Sequence, residues 1–259
     1  MNIVAIIPAR MGSTRFPGKP MAPIHGIPMI GHVYYRCKMS NLLDDVYVAT
    51  CDQEIMDYVE SIGGKAIMTK DTHERCTERT TEALLKIEEE TGVSNDIIVM
   101  IQGDEPMVTP EMLNEAIQPM LNEDSIQVLN LMSELKSKKE HEDPNEVKVV
   151  VDLKSNALYF SREPIPSWKK SAAEVPMLKQ VCVIPFRRDF LIKYDQLKPT
   201  PLEIIESVDM MRVLEHGYKV RMIMTDAKSY AVDTLEDLRY VEEQMNDDSL
   251  MLQYQSSGR

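Results

Sequence analysis

Over residues 2–121, short apolar runs alternate with amphipathic stretches, and few architectures accommodate that order. NIVAIIPA (2–9) reads as a buried strand and PMIGHVYYRCKMS (28–40) as a helix. DDVYVAT (44–50) is a strand, DQEIMDYVESIGG (52–64) a helix stopped by its glycine pair, and KAIMT (65–69) a strand. TERTTEALLKIEEETG (77–92) is a helix with Gly92 near its C-cap. NDIIVMIQGDEP (95–106) is a strand running into a polar turn. TPEMLNEAIQPML (109–121) is a helix, with Thr109 placed as N-cap before Pro110. Strands that alternate with helices build a mostly parallel sheet covered on both faces. The expected fold is therefore α/β, a single-domain Rossmann-like mixed, mostly parallel sheet. Ligands of such sheets bind at the carboxyl ends of the strands.

Beyond residue 134 the pattern loosens. ELKSKKEHEDPNE (134–146) is a charged, strand-poor connection, most simply a solvated loop. VKVVVD (147–152), NALYFSR (156–162), VCVIPF (181–186) and KVRMIMT (219–225) read as strands. PLEIIESVDMMRVLEHG (201–217) reads as one helix ended by Gly217, and TLEDLRYVEEQM (234–245) as the last helix. One domain over residues 1–245 is expected, the second half extending the same sheet around an inserted element at about 145–200, with a polar, fraying tail at 246–259.

Charge narrows the function. Lys plus Arg number 29 against 42 Asp plus Glu, a formal net charge of −13. Duplex DNA and anionic membranes call for a broad basic face, so neither is an expected partner. Cys37, Cys51, Cys76 and Cys182 form no CxxC pair, which speaks against a zinc site or a disulfide framework and fits a reducing cytoplasm. No signal peptide precedes the first strand, and no apolar stretch approaches the ~20 residues of a membrane span.

Two polar loops leave strands at the ligand-binding end. In IPARMGSTRFPGKP (7–20), Arg10, Arg15 and Lys19 cluster with no acid among them. Gly12 and Gly18-Lys19 are separated by five residues rather than the four of a Walker A loop, and Pro20 stands where the magnesium-binding hydroxyl would be. No GxGxxG dinucleotide loop is present either. What remains is a turn with backbone amides and three cations, suited to a triphosphate held largely by side chains. A surface turn with solvated cations is the plainer alternative. In VMIQGDEPMV (99–108), Gly103 permits close backbone approach, and Asp104 at a strand end is a natural oxygen ligand for Mg²⁺; a solvated Asx turn is its rival. In AVDTLEDL (231–238), Asp233 either caps a helix or, with Thr234 capping instead, is free for metal. His25, His32, His73, His141 and His216 share no metal-binding spacing.

Together with GIPMIGHVYYR, YVATCDQEI, TERTTEA, DPNEVKVVVD, ALYFSREPIP, PTPLEIIE and VDTLEDL, these loops resemble the 3-deoxy-manno-octulosonate (Kdo) cytidylyltransferases, a sugar-nucleotide pyrophosphorylase-like family, over nearly the whole chain. The resemblance implies transfer of CMP from CTP to an anomeric hydroxyl of a small anionic acceptor, with release of pyrophosphate and with Mg²⁺ as cofactor. It implies that Arg10, Arg15 and Lys19 hold the CTP phosphates, that Gln102 lies beside the reacting groups, and that Asp104 and Asp233 carry magnesium. Pro8, Ala9, Arg10, Thr77 and Arg79 would flank the nucleoside. Arg15, Gln102, Arg162, Gln180, Glu203 and Glu206 would serve the acceptor. A cytoplasmic homodimer, joined through the middle of the chain, is also implied.

The chain departs from the family in its acceptor half. QVCVIPFR (180–187) stands where the family has HxGxYxYR, so Gln180, Cys182, Ile184 and Phe186 replace a histidine, a glycine and two tyrosines. Asp209-Met210-Met211-Arg212 stands for EQLR, and Arg75-Cys76-Thr77 for SGT. Loss of hydrogen-bonding groups relaxes or redirects selection among hydroxylated substrates. The acceptor could therefore be Kdo or a different acid, such as another sugar acid or a hydroxy-phosphonate. A non-catalytic nucleotide-binding protein is the contrasting possibility; the intact Arg10, Arg15, Lys19, Asp104 and Asp233 speak against it.

Overall fold

The structure is a computed structural model and describes residues 1–13, 15–167 and 176–255. The chain divides into two compact units: Met1–Asn114 with Lys228–Arg259, and Glu115–Ala227.

In the first unit the strands Ile97–Ile101, Ile3–Ala9, Asp45–Thr50 and Lys65–Met68 lie side by side in that order, all parallel. The register sets Ala9 against Thr50 and Ile6 against Met100. Every residue of Ile3–Ala9 is buried, which is why this strand reads as a continuous apolar run. The helices Met29–Lys38, Gln53–Ser61 and Cys76–Thr91 connect these strands, as the alternation predicted. Gly92 closes the last of them at φ 67°, a left-handed C-cap.

The second unit holds its own five-stranded sheet, in the order Arg221–Met224, Leu129–Glu134, Leu178–Val181, Lys148–Val151, Ala157–Ser161. Its first pair is parallel and the others are antiparallel. The second half therefore does more than prolong the first sheet. Leu129–Glu134, an inner strand of this sheet, has no counterpart in the sequence reading. Its Asn130 interrupts the apolar run, and is buried with its amide donating to the Leu131 and Val181 carbonyls.

Three further differences have local causes. The expected helix 201–217 is two helices, Pro201–Glu206 and Asp209–Glu215, separated by Ser207 at φ 53°. The break lets Glu203 face Arg212 in a fully buried, two-pronged pair at 2.6 and 2.7 Å. The predicted strand 181–186 divides at Cys182 into Leu178–Val181 and Val183–Arg187. The segment after Asn246, expected to fray, carries a helix, Ser249–Gln255, with Met251 and Tyr254 buried; residues 256–259 of that tail lie outside the described residues. Among the described residues, no helix is long and apolar enough to cross a membrane.

Candidate active site

The loop after Ile3–Ala9 folds on itself by short-range hydrogen bonds. The amides of Ser13 and Gly18 donate to the Met11 carbonyl at 2.9 and 3.0 Å, and the Met11 amide donates to Asp52 Oδ2 at 2.8 Å. Gly18 sits at φ 76°, a backbone state that L side chains rarely adopt. That turn starts the 3-10 segment Lys19–Met21 and aims the Lys19 side chain back at two acidic turns.

The first acidic turn, Gln102–Pro106, leaves the strand Ile97–Ile101 beside the end of Ile3–Ala9. A Cβ on Gly103 would lie 3.1 Å from the Pro8 carbonyl oxygen, 3.2 Å from Ile30 Cδ1 and 3.3 Å from Ala9 Cβ, so only glycine fits without displacement. The second turn is at Val232-Asp233. Thr234 and Asp237 form the capping box of the helix Leu235–Gln244, and the Asp233 and Thr234 amides donate to Asp237 Oδ2 at 3.0 and 2.8 Å. Helix capping is thereby met without the Asp233 carboxylate.

Lys19 joins the three segments. Its ammonium donates to Asp104 Oδ2 at 2.6 Å, to the Val232 carbonyl at 2.9 Å and to Asp233 Oδ1 at 3.1 Å. The Val232 amide in turn donates to the Asp104 carbonyl at 2.9 Å. Arg15 Nη2 lies 2.9 Å from Asp233 Oδ1. Burial alone would lower the Lys19 pKa; Asp104 and Asp233 outweigh it and hold it above the ordinary lysine value. The other oxygen of Asp104, Oδ1, is buried with no hydrogen-bond partner among the described residues. A buried carboxylate oxygen without a donor suits a hard cation, and Mg²⁺ takes one or two protein carboxylates with phosphate and water oxygens completing its shell. The donor set thus fits a magnesium ion shared with a phosphate ligand. Among the described residues no group of three or more His, Cys, Asp or Glu side chains could hold a metal by itself.

The remaining candidates of this unit surround the same strand ends. Pro8 and Ala9 are buried in the first strand, and half-buried Gln102 follows the strand Ile97–Ile101. Arg10 is exposed, its Nη1 donating to the His73 carbonyl at 3.3 Å. The His73 ring meets Glu82 on the helix Cys76–Thr91. Burial would raise the Glu82 pKa, but bonds from Lys86 and His73 bring it down to about 2. Thr77 is buried, its hydroxyl 3.8 Å from Met100 Sδ. Arg79 is 3% exposed; its Nη1 donates to the Thr69 hydroxyl and, at 3.1 Å, to the Lys70 carbonyl. Its Nη2 is buried without a hydrogen-bond partner among the described residues, an unspent donor.

In the second unit, the acceptor candidates belong to internal networks. Glu203 forms the capping box of its own helix with Thr200 and also grips Arg212. Glu206 Oε1 accepts from the Tyr159 and Ser161 hydroxyls at 3.0 and 3.1 Å, and Oε2 from the Arg162 amide at 2.8 Å. Arg162 Nε donates to the Glu206 carbonyl at 2.7 Å, and Nη1 to the Pro144 carbonyl at 2.9 Å. The Gln180 side-chain amide donates to Asn130 Oδ1. Ile184, Phe186 and Met210 are interior packing residues.

Sequence reasoning missed the Val232 carbonyl, the Asp52 anchor and the His73–Glu82 support of Arg10. A backbone carbonyl leaves no residue-type signal. Asp52 and Glu82 resemble ordinary acids of helix starts and faces, distinguished only once the loops fold over them.

Comparisons with known proteins bear on the family and the fold. The family profile described as Cytidylyltransferase matches residues 4–242. A 3-deoxy-manno-octulosonate cytidylyltransferase of Geobacter metallireducens is 43% identical over 256 residues, covering 95% of this chain and 98% of the relative. One from Geotalea daltonii is 41% identical over 257 residues, covering 95% and 99%. Among solved structures, a CMP:2-keto-3-deoxy-manno-octonic acid synthetase complexed with CTP superposes with a TM-score of 0.85 at 38% identity, covering 95% of this chain and 98% of that one. A putative glucose-1-phosphate thymidylyltransferase from Bacillus anthracis, 16% identical with a TM-score of 0.66, shares the fold; it covers 95% of this chain and 96% of that one.

Proposed function

The chain belongs to the cytidylyltransferase family, and on that premise we propose that it transfers CMP from CTP to Kdo, releasing pyrophosphate. The observation that carries the reading is the Lys19 ammonium held between Asp104 and Asp233, with Asp104 Oδ1 buried and unpaired beside it. Nucleotidyl transfer needs positioning and charge neutralisation more than covalent help. Arg10 and Arg15 grip the triphosphate through planar guanidinium forks, and Lys19 adds a point charge. The Arg79 Nη2 donor and the Pro8-Ala9 backbone, with Thr77 behind, serve the nucleoside. Gln102 orients the reacting groups. Asp104 and Asp233 would hold Mg²⁺, which when bound neutralises phosphate charge and lowers the pKa of a hydroxyl at the metal.

Kdo is favoured over another anionic acceptor because relatives named for it match nearly end to end. The burial of Ile184, Phe186 and Met210 also makes those departures from the family pattern changes of interior packing. Arg15, Gln102, Arg162, Gln180, Glu203 and Glu206 remain the acceptor candidates. The working form is a cytoplasmic homodimer; exposed Leu153, Leu158, Ile204 and Ile205 in the second unit support a covered apolar face, and four cysteines outside any disulfide suit a reducing compartment.

The test is pyrophosphate release with CTP, Mg²⁺ and a panel of acceptors. Turnover is expected with Kdo, and Asp104→Asn is expected to lose at least about 10²-fold in kcat, the scale of removing one preorganised charge. Parental turnover by Asp104→Asn would refute the metal assignment. Turnover with another acid and none with Kdo would refute the acceptor.

A further inference from the structure

The last helix, Ser249–Gln255, is bonded to the segment that follows Lys19. Asp248 Oδ1 accepts from the Met251 amide at 2.8 Å and lies 2.9 Å from Arg36 Nη2. The Tyr254 ring stacks on Tyr35 at 5.0 Å, with 14° between the planes. Its hydroxyl lies 2.7 Å from His32 Nδ1 and accepts from Arg36 Nε at 3.3 Å. His32 Nε2 lies 2.8 Å from the Ile24 carbonyl. A carbonyl only accepts, so Nε2 carries the hydrogen, and Nδ1 offers its lone pair to the Tyr254 hydroxyl proton. One ordered chain of donors thus runs from Arg36 through Tyr254 and His32 to Ile24, all inside the protein.

Ile24 lies in the hairpin of Pro23–Ile24 with Ile27–Pro28, directly after the 3-10 segment of Lys19. The turn residues His25 and Gly26 have φ 47° and 82°, the pattern of a type I′ turn. On its other side the hairpin meets the helix that follows Asp233: the His25 amide donates to Glu242 Oε1 at 3.1 Å, and His25 Nε2 to the Glu242 carbonyl at 2.8 Å. Ile24, Met29, Met107, Val232, Val241, Met245, Met251 and Tyr254 share one apolar cluster. That cluster includes Val232, whose carbonyl holds Lys19.

We propose that the carboxy-terminal helix positions the catalytic loop: Tyr254, acting through His32 and the Ile24 carbonyl, holds the hairpin that sets Lys19 against Asp104 and Asp233. Tyr254, His32 and Arg36 are positioning residues. Among the described residues the backbone amides of the Lys19 segment bond locally, Lys19 to the Phe16 carbonyl at 3.3 Å and Met21 and Ala22 to the Gly18 and Lys19 carbonyls at 3.0 Å, while its longer ties are the Lys19 ammonium to Asp104, Val232 and Asp233 and the Met29 amide to the Ala22 carbonyl at 2.9 Å. That last bond fastens the segment's backbone to the hairpin, so the hairpin bears on where the ammonium meets its acceptors.

The kinetic side of this proposal rests on the CTP reading above; its structural side does not. Tyr254→Phe keeps the stacked ring and removes only the hydroxyl. Amide hydrogen exchange at Met21 and Ala22 is expected to quicken about tenfold. In the same variant kcat/KM for CTP is expected to fall about 5- to 10-fold, with KM for the acceptor unchanged. His32→Leu should behave likewise, while His32→Gln, which keeps a donor and an acceptor, should stay near the parent. Should Tyr254→Phe fold poorly, the two His32 variants carry the comparison. Parental exchange at Met21 and Ala22, or parental kcat/KM for CTP measured well below melting, would overturn the proposal. No pyrophosphate release by the parent with CTP would instead sink the functional reading, and hydrogen exchange would still decide the coupling.

Discussion

Lys19 answers to three acceptors at once, so its loss should register in chemistry more than in folding. Lys19→Met is expected to lower kcat/KM for CTP by about 10²-fold, with the fold kept, checked by initial rates and circular dichroism. Its pKa is raised above 10.5, so its contribution is complete below that value and is lost only as pH rises through the folded pKa. A pH–rate profile between about 6 and 9 should accordingly show no falling limb from Lys19. His32 has the opposite sense: burial above all lowers its pKa from 6.5 to about 4. Between those values the unfolded chain takes up a proton that the folded chain refuses, so stability falls as pH drops from 6.5 toward 4. From pH 7.5 to 5 this amounts to about 2 kcal/mol, measurable as a smaller loss in His32→Gln than in the parent by urea unfolding. Arg10, Arg15, Lys19, Asp104 and Asp233 were all legible as candidates because they are charged residues in polar turns, although among the described residues no strand runs into Asp233, the preceding one ending at Met224. The partners His32 and Tyr254 were not, because a lone histidine and a tyrosine near the chain end carry no spacing signal.

At the scale of elements, close approach governs the turn after Ile97–Ile101. Gly103→Ala brings a Cβ against the Pro8 carbonyl, Ile30 and Ala9. It is expected to destabilise by about 1–3 kcal/mol and to lower kcat/KM for CTP, because Asp104 moves with the turn. Thermal unfolding and initial rates check both. In the helix pair Pro201–Glu206 and Asp209–Glu215, Glu203 and Arg212 are buried as a mutual pair. Glu203→Ala removes both charge-assisted bonds to the buried guanidinium and should cost about 3–5 kcal/mol, seen as a large fall in melting temperature. The sequence pattern joined these helices because their apolar period runs through Ser207; the break follows from a left-handed residue and a cross-helix pair, both tertiary facts. The strand Leu129–Glu134 escaped notice for a related reason: Asn130 looks exposed until the Leu131 and Val181 carbonyls accept its amide.

For the whole molecule, the exposed apolar residues of the second unit give the proposed dimer a test. Ile205→Asp places a charge where a partner surface would bury it, and the sedimentation coefficient is expected to fall to that of a 29.6 kDa monomer. A parent that already sediments as a monomer would refute the proposed dimer, and a dimeric parent with an unchanged variant would refute this face as its contact. The alternation of strands and helices was enough to foresee a parallel sheet and the end of it that binds ligand, since burial on both faces leaves an unbroken apolar run. It was not enough to foresee a second sheet: most of its strands were read from their apolar residues, but nothing local says which sheet a strand joins, and Leu129–Glu134 escaped notice.

By itself, the sequence determined the α/β class, the order of the first unit's elements and the identity of the charged groups in the polar turns. These depend on local periodicity, on turn chemistry and on residue type. Only the tertiary structure decided that Lys19, Asp104 and Asp233, separated by up to 214 positions, share one ammonium. It also decided that Tyr254, in the helix Ser249–Gln255, meets His32, 222 positions earlier. The physical reason is common to both. Each is a contact between segments far apart in sequence, made by groups whose local chemistry is equally content on a solvated surface, and only the folded core excludes that alternative.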